Sequence, residues 1–119
     1  QEVLSKLKNE NKKVIGICSS ANFFGLESKG MGQIRGNGAF VLTEDEVYFE
    51  MWAPKKEVRI PVKKISSQEI VTSHLGKSKM VPLLKIVFEN ENGKVDSGAW
   101  ALKDVNQWKD GIEKLRTTK

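Results

Sequence analysis

Apolar and polar residues alternate most clearly in Glu46-Val47-Tyr48-Phe49-Glu50-Met51-Trp52. Val47, Phe49 and Met51 fall on one side; Glu46, Tyr48, Glu50 and Trp52 fall on the other. A period of two belongs to a strand with one buried face. Ala39-Phe40-Val41-Leu42 before it is rich in β-forming residues, and Thr43–Glu46 is a polar break short enough for a hairpin. Ala53-Pro54-Lys55-Lys56 after it supplies a proline-led turn, because the ring presets φ. Val58 and Ile60 then alternate with Arg59 up to Pro61, which cannot donate to a ladder. Gly36–Ile65 is therefore expected to form three consecutive antiparallel strands that lead into a fourth.

The rest of the chain supplies the remaining elements. Val14–Ser20 is expected as the first strand, followed by Phe23-Phe24-Gly25-Leu26 and a glycine-containing loop at Glu27–Gly32. Gln33–Thr43 is the second strand, bent where Gly36 and Gly38 interrupt it. Ile65–His74 is the fifth strand and Leu75–Val81 a basic loop. Pro82–Glu89 is the sixth, with Leu83–Phe88 apolar enough for burial on both faces. Asn90-Glu91-Asn92-Gly93 is a hairpin turn, and Val95–Leu102 is the seventh strand, carrying Trp100. The period then changes: Val105, Trp108, Ile112 and Leu115 form a helical apolar stripe. Asp104 is the expected N-cap with Gln107 completing a capping box, and Lys114 and Arg116 suit the helix C-terminus. Residues 1–13 are a lead-in linker or a short helix with Val3, Leu4 and Leu7 apolar; residues 14–119 form one domain. The expected fold is mainly β: a seven-stranded antiparallel bent barrel, or two orthogonal sheets, capped by the C-terminal helix with Trp108 turned inward.

Composition narrows the function classes. The chain has 119 residues, enough for one domain, and a formal charge of +5. That charge is uneven. Between 53 and 64, five cations (Lys55, Lys56, Arg59, Lys63, Lys64) face Glu57 alone, whereas 44–50 holds Glu44, Asp45, Glu46 and Glu50 with no cation. No run approaches the roughly 18 apolar residues of a membrane span. A start at Gln1 rather than Met leads us to expect an upstream segment, either an anchor or a partner domain; the domain itself is expected to be soluble and on the cytoplasmic side, with a membrane tether through that segment as the alternative. One cysteine excludes an internal disulfide; Cys18 lies in Val14-Ile15-Gly16-Ile17-Cys18 and reads as a small buried hydrophobe. With His74 the sole histidine, no metal site at recognised spacing can be assembled. No nucleophile elbow or Cys–His pairing points to catalysis. Gly30-Met31-Gly32-Gln33-Ile34-Arg35-Gly36 has the wrong spacing for a nucleotide fingerprint and precedes a strand, not a helix. Neither enzyme activity nor a cofactor is expected.

Two stretches carry a family resemblance. Residues 36–49 read Gly-x-Gly-x-Phe-Val-Leu-Thr-x-Asp-x-Val-Tyr-Phe, and 58–65 read Val-Arg-Ile-Pro-Val-Lys-Lys-Ile. With the order of elements and Trp108 in the last helix, residues 14–116 resemble the pleckstrin-homology superfold, in particular its GRAM-type and bacterial variants. That superfold hosts lipid binders, peptide binders and scaffolds. The resemblance implies an anion site at the rim. Its first loop, Ala21–Gln33, offers only Lys29, with Arg35 just beyond; Lys55 and Lys56 sit in the next loop, and Lys77 and Lys79 in the basic loop. A dense Lys-x-Arg cluster is missing, and a multivalent phosphate needs several converging cations. The expected role is a non-enzymatic binding or scaffold module that contacts a protein partner, a second copy or a membrane surface. The alternatives are an anionic-lipid (phosphoinositide-type) domain and a nucleic-acid-binding barrel. For the last, Tyr48 and Trp52 could stack on bases beside Lys55 and Lys56, but Glu46 and Glu50 share that face and repel phosphate. Tyr48 and Trp52 are otherwise partner contacts, or pack under residues 1–13.

Overall fold

The computed structural model describes residues 2–29, 36–53, 55–74 and 77–117; at residues 2, 73, 74 and 77–80 it describes the backbone alone. Its elements are α1 (Glu2–Asn9), β1 (Val14–Leu26), β2 (Gly36–Thr43), β3 (Glu46–Met51), β4 (Lys56–Pro61), β5 (Ile65–His74), β6 (Lys77–Glu89), β7 (Val95–Ala101) and α2 (Val105–Thr117). The seven strands form one antiparallel sheet in the order β4-β3-β2-β1-β7-β6-β5. Among the described residues β4 and β5 do not pair. The architecture is thus a bent open sheet, not a hydrogen-bonded barrel.

The bend is made in β1. This strand runs for 13 residues, and its pairing with β2 shifts register between Val14 and Gly16 and again between Cys18 and Ala21. Each shift is a bulge, which adds local twist. Gly25, at φ 106, takes a backbone geometry closed to most side chains. Phe23–Leu26 is therefore strand and not the approach to a loop: Phe23 pairs with Trp100, and Leu26 with Gly98. Phe23 and Phe24 are both buried, on opposite faces. Of the predicted second strand, Gly36–Thr43 is observed; residues 33–35 lie outside the described residues.

The concave face holds the main core around Trp100, whose ring lies 5.3 Å from Phe23, 5.3 Å from Phe40 and 6.0 Å from Phe49. α2 lays its stripe over this face, with Val105 and Ile112 buried and Trp108 and Leu115 packed beside them. The Trp108 indole meets Phe40 edge to face at 5.2 Å. Asp104 does not cap α2 through its side chain. It sits at φ 58, whereas an N-cap needs an extended residue; its carbonyl accepts from the Gln107 and Trp108 amides instead.

The convex face is covered in two places. α1 buries Val3 and Leu7 against Ala39, Val41 and Tyr48. Farther along, Phe24, Leu83 and Ala99 form a small second cluster. Burial of β6 on both faces is thus confined to Leu83 and its neighbour Leu84, because Lys85 and Val87 are only half-buried. Of the expected basic loop at 75–81, residues 77–81 are strand: β6 begins at Lys77, and Ser73 pairs with Ser78 and His74 with Lys77; residues 75 and 76 lie outside the described residues. Backbone pairing needs no alternation of side chains, so the sequence pattern did not mark it.

Candidate protein-binding groove

The charged residues of β3 and β4 are committed to one another and to α1. Glu46 and Glu50 point away from the core yet are only 6% exposed. Arg59 Nη1 donates to Glu46 at 3.1 Å, and its two terminal nitrogens grip Glu10, just after α1, at 2.9 Å each. Its Nε donates to Glu57 at 3.0 Å, and the guanidinium stacks 4.7 Å from the Tyr48 ring centre. The Tyr48 hydroxyl lies 2.6 Å from Glu50 Oε1 and 2.8 Å from Glu57 Oε2, so its one proton serves one carboxylate at a time. Lys6 Nζ donates to both Glu57 (2.6 Å) and that hydroxyl (3.0 Å). Lys12 closes the other end on Asp45 at 3.2 Å and Glu46 at 3.5 Å. Tyr48 is therefore shielded from any partner while α1 is in place.

This strap has a pH dependence of definite sign. The hydrogen bond from Lys6, joined by those from Arg59 and Tyr48, outweighs burial and holds the Glu57 carboxyl down at about 2. Arg59 likewise holds Glu10 below the ordinary carboxylate range. A carboxyl depressed by folding stabilises the folded state above its unfolded value, and that contribution is lost as pH falls through the folded value. Glu57 is more than a third exposed, so solvent screening limits its share to about 1 kcal/mol or less. Measured against the intrinsic exchange rate at each pH, the protection of the α1 amides is expected to fall between pH 4.5 and about 2 while that of β2 holds; unchanged α1 protection across that window would show that the apolar contacts alone hold the helix.

Of the cations singled out as anion ligands, only Lys29 and Lys56 are brought to one recess. Lys29 ends a short turn at Glu27–Lys29 and lines a recess of about 780 Å³ between β4 and the β6–β7 turn, together with Lys56. The same recess carries three further cations, Arg59, Lys64 and Lys94, and the carboxylates Glu57, Glu89, Glu91 and Asp96. Asp96 is held by Ser28, through its amide at 2.9 Å and its hydroxyl at 2.6 Å, and Lys64 is held by Glu89 at 2.9 Å. Lys56 lies 6.0 Å above the Phe23 ring. Lys55 does not line this recess and lies 3.7 Å from Glu50. Arg35 lies outside the described residues, and Lys77 and Lys79 are placed by backbone only. Trp52 is 44% exposed, its amide bonded to the Asn37 carbonyl at 2.9 Å. Among the described residues no three His, Cys, Asp or Glu side chains could hold a metal ion.

A second concavity, about 600 Å³, lies between the first half of β1 and the start of α2. Its floor is Trp108, fixed by a hydrogen bond from Nε1 to the Lys103 carbonyl at 3.0 Å. A Cβ at Gly16 would stand 3.3 Å from the indole edge, so the glycine lets the ring lie against the strand. Ile15 and Ile17 border the groove and are 52% and 36% exposed. Cys18 is buried, its Sγ 3.8 Å from Ser20 Oγ. Only Lys103 and Asp104 bring charge to the lining. Sequence reasoning missed this groove. A signal was present: Val14–Leu26 contains no charged residue in a chain that is 29% charged.

No helix among the described residues is long and apolar enough to cross a membrane. No protein-family model and no curated protein matches the chain. Solved structures share its fold, among them two that cover most of the chain. One is a chain of "The 8S snRNP Assembly Intermediate", with TM-score 0.60, 12% identity, 88% of this chain covered and 80% of that one. The other is the C-terminal domain of an unknown protein from Leishmania infantum, with TM-score 0.64, 11% identity, 98% of this chain covered and 96% of that one. At such identities the chain is similar to both in fold alone.

Proposed function

We propose that this chain is a non-enzymatic binding module of pleckstrin-homology-like design whose ligand is another protein, not a lipid or a nucleic acid. The observation that carries it is the groove beside β1: a rigid indole floor, two exposed isoleucines and almost no charge. Interfaces are depleted of charge at their centres and enriched in aromatic residues. The anion reading is weaker, because the recess that holds Lys29 and Lys56 sets five cations (with Arg59, Lys64 and Lys94) against four carboxylates, Arg59 and Lys64 are already paired with carboxylates, and Lys55 faces Glu50.

The test has two arms. The domain is sedimented with vesicles of phosphatidylcholine alone and with added phosphatidylserine, and it is panned against a displayed random-peptide library. We expect peptides to be recovered, and sedimentation to be equal for the two vesicles and unchanged in Lys55→Ala/Lys56→Ala. Salt-sensitive sedimentation with the anionic vesicles that the double variant abolishes, with no peptide recovered, would overturn the proposal.

A further inference from the structure

β1 is longer than its neighbour. β7 pairs with it only from Asn22 onward, because after Ala101 the chain leaves the sheet to begin α2. Val14–Ser20 therefore pairs with β2 on one side, and among the described residues no strand pairs with it on the other. The lane beside these seven residues is about 23 Å long at the usual rise per residue.

The two outermost strands of the sheet are guarded. Along β5, Arg116 of α2 donates to the Ser66 carbonyl at 2.7 Å and to Gln68 at 2.8 Å, and Gln68 donates to Glu113. β4 carries Lys56, Glu57, Arg59 and a closing Pro61. Charge, proline and a covering helix are the usual devices that keep an edge from pairing. The β1 edge carries neither charge nor proline, and α2 borders it only on the concave side; its bulges shorten the regular ladder to Gly16–Cys18. An added strand would gain few backbone bonds there and needs a side chain to hold it. The groove supplies the seat: in the pleat, Gly16 and Cys18 face the core side with Leu42 and Phe40, beside Trp108, while Ile17 faces outward with Val41.

We propose that the partner donates an uncharged extended segment that continues the line of β7 along Val14–Ser20, antiparallel to β1, with one large apolar side chain seated on Trp108. This deepens the protein-binding reading above and rests on it. The absence of charge from all seven lane residues selects an uncharged segment, and the helix wall of α2 admits a single strand in preference to the edge of a second sheet. Strand addition of this kind takes affinity from main-chain bonds and specificity from alternate side chains.

The probe is a blocked seven-residue peptide alternating threonine and valine, with leucine at its centre, titrated into the isotope-labelled domain and followed by amide and indole NMR signals. We expect weak binding, on the order of 100 µM for so small an interface. Shifts should be confined to Val14–Ser20, residues 103–108 and the Trp108 indole. Only alternate amides of an added strand face β1. Of two versions N-methylated at alternate positions, one should therefore lose binding and the other keep it. Ile17→Lys, a surface change, should weaken binding about tenfold and leave the fold intact. Equal binding of both methylated peptides, shifts elsewhere on the molecule, or no shift at millimolar peptide would overturn the proposal. So would doubling of the domain's mass that Ile17→Lys abolishes, since a second copy would then own the edge. Library peptides that bind but map elsewhere would sink the strand addition alone and leave the protein-binding reading standing.

Discussion

Replacing Trp100 by alanine is expected to cost about 3–5 kcal/mol, the range for emptying a large aromatic from a packed core. Trp100 is fully buried, pairs across the ladder with both Phe23 and Leu84, and touches three phenylalanines. Domains of this size are stable by only about 5–15 kcal/mol, so the variant should be close to unfolding. The contrast with phenylalanine is more informative. Trp100 Nε1 has no hydrogen-bond partner among the described residues. An orphaned buried donor costs about 1–3 kcal/mol. Trp100→Phe removes that cost along with one ring and should fall within about 1 kcal/mol of the parent, because the lost packing and the relieved donor oppose each other. Urea midpoints at constant m-value measure both changes. If phenylalanine proved as damaging as alanine, the indole nitrogen would have to be satisfied in solution.

Gly38→Ala should be as severe for a different reason. Gly38 lies in the middle of β2, paired with Ala21 on one side and Met51 on the other. A Cβ there would fall 2.1 Å from the Glu50 carbonyl oxygen and 2.8 Å from Met51 Cα. Both are backbone atoms of β3, which cannot move without opening the ladder. Overpacking usually costs 1–3 kcal/mol, and here the obstacle is rigid, so a loss of about 3 kcal/mol or more is expected. Gly36→Ala is the matched control. Its nearest obstacle is the flexible Met51 side chain, at 3.2 Å from Sδ, and it should cost under about 1 kcal/mol. Equal urea midpoints for the two variants would show that β2 and β3 approach less closely than described.

Much of the fold could be read locally. Val47, Phe49 and Met51 alternate with Glu46, Tyr48 and Glu50 whatever they pair with, and all three apolar residues lie in the core. The stripe Val105, Trp108, Ile112 and Leu115 marks one side of a helix in the same way, and that side covers the concave face. Such periods are set by backbone geometry over a few residues, so a linear pattern carries them.

Pairing partners and coverage are set at long range, and there the pattern fell short. Nothing local shows that β1 outruns β7, since its length beside β7 depends on where a chain segment some eighty residues later turns away. Tyr48, Glu46 and Glu50 look like a solvent face until α1 arrives with Lys6, and the segment after it with Glu10 and Lys12. The order of seven strands and the helix over them was determined by the sequence itself, through alternation, turn residues and one change of period. Which edge stays open, which carboxylates are neutralised and where Trp108 forms a floor were decided by tertiary contact alone, because each depends on residues that only folding brings together.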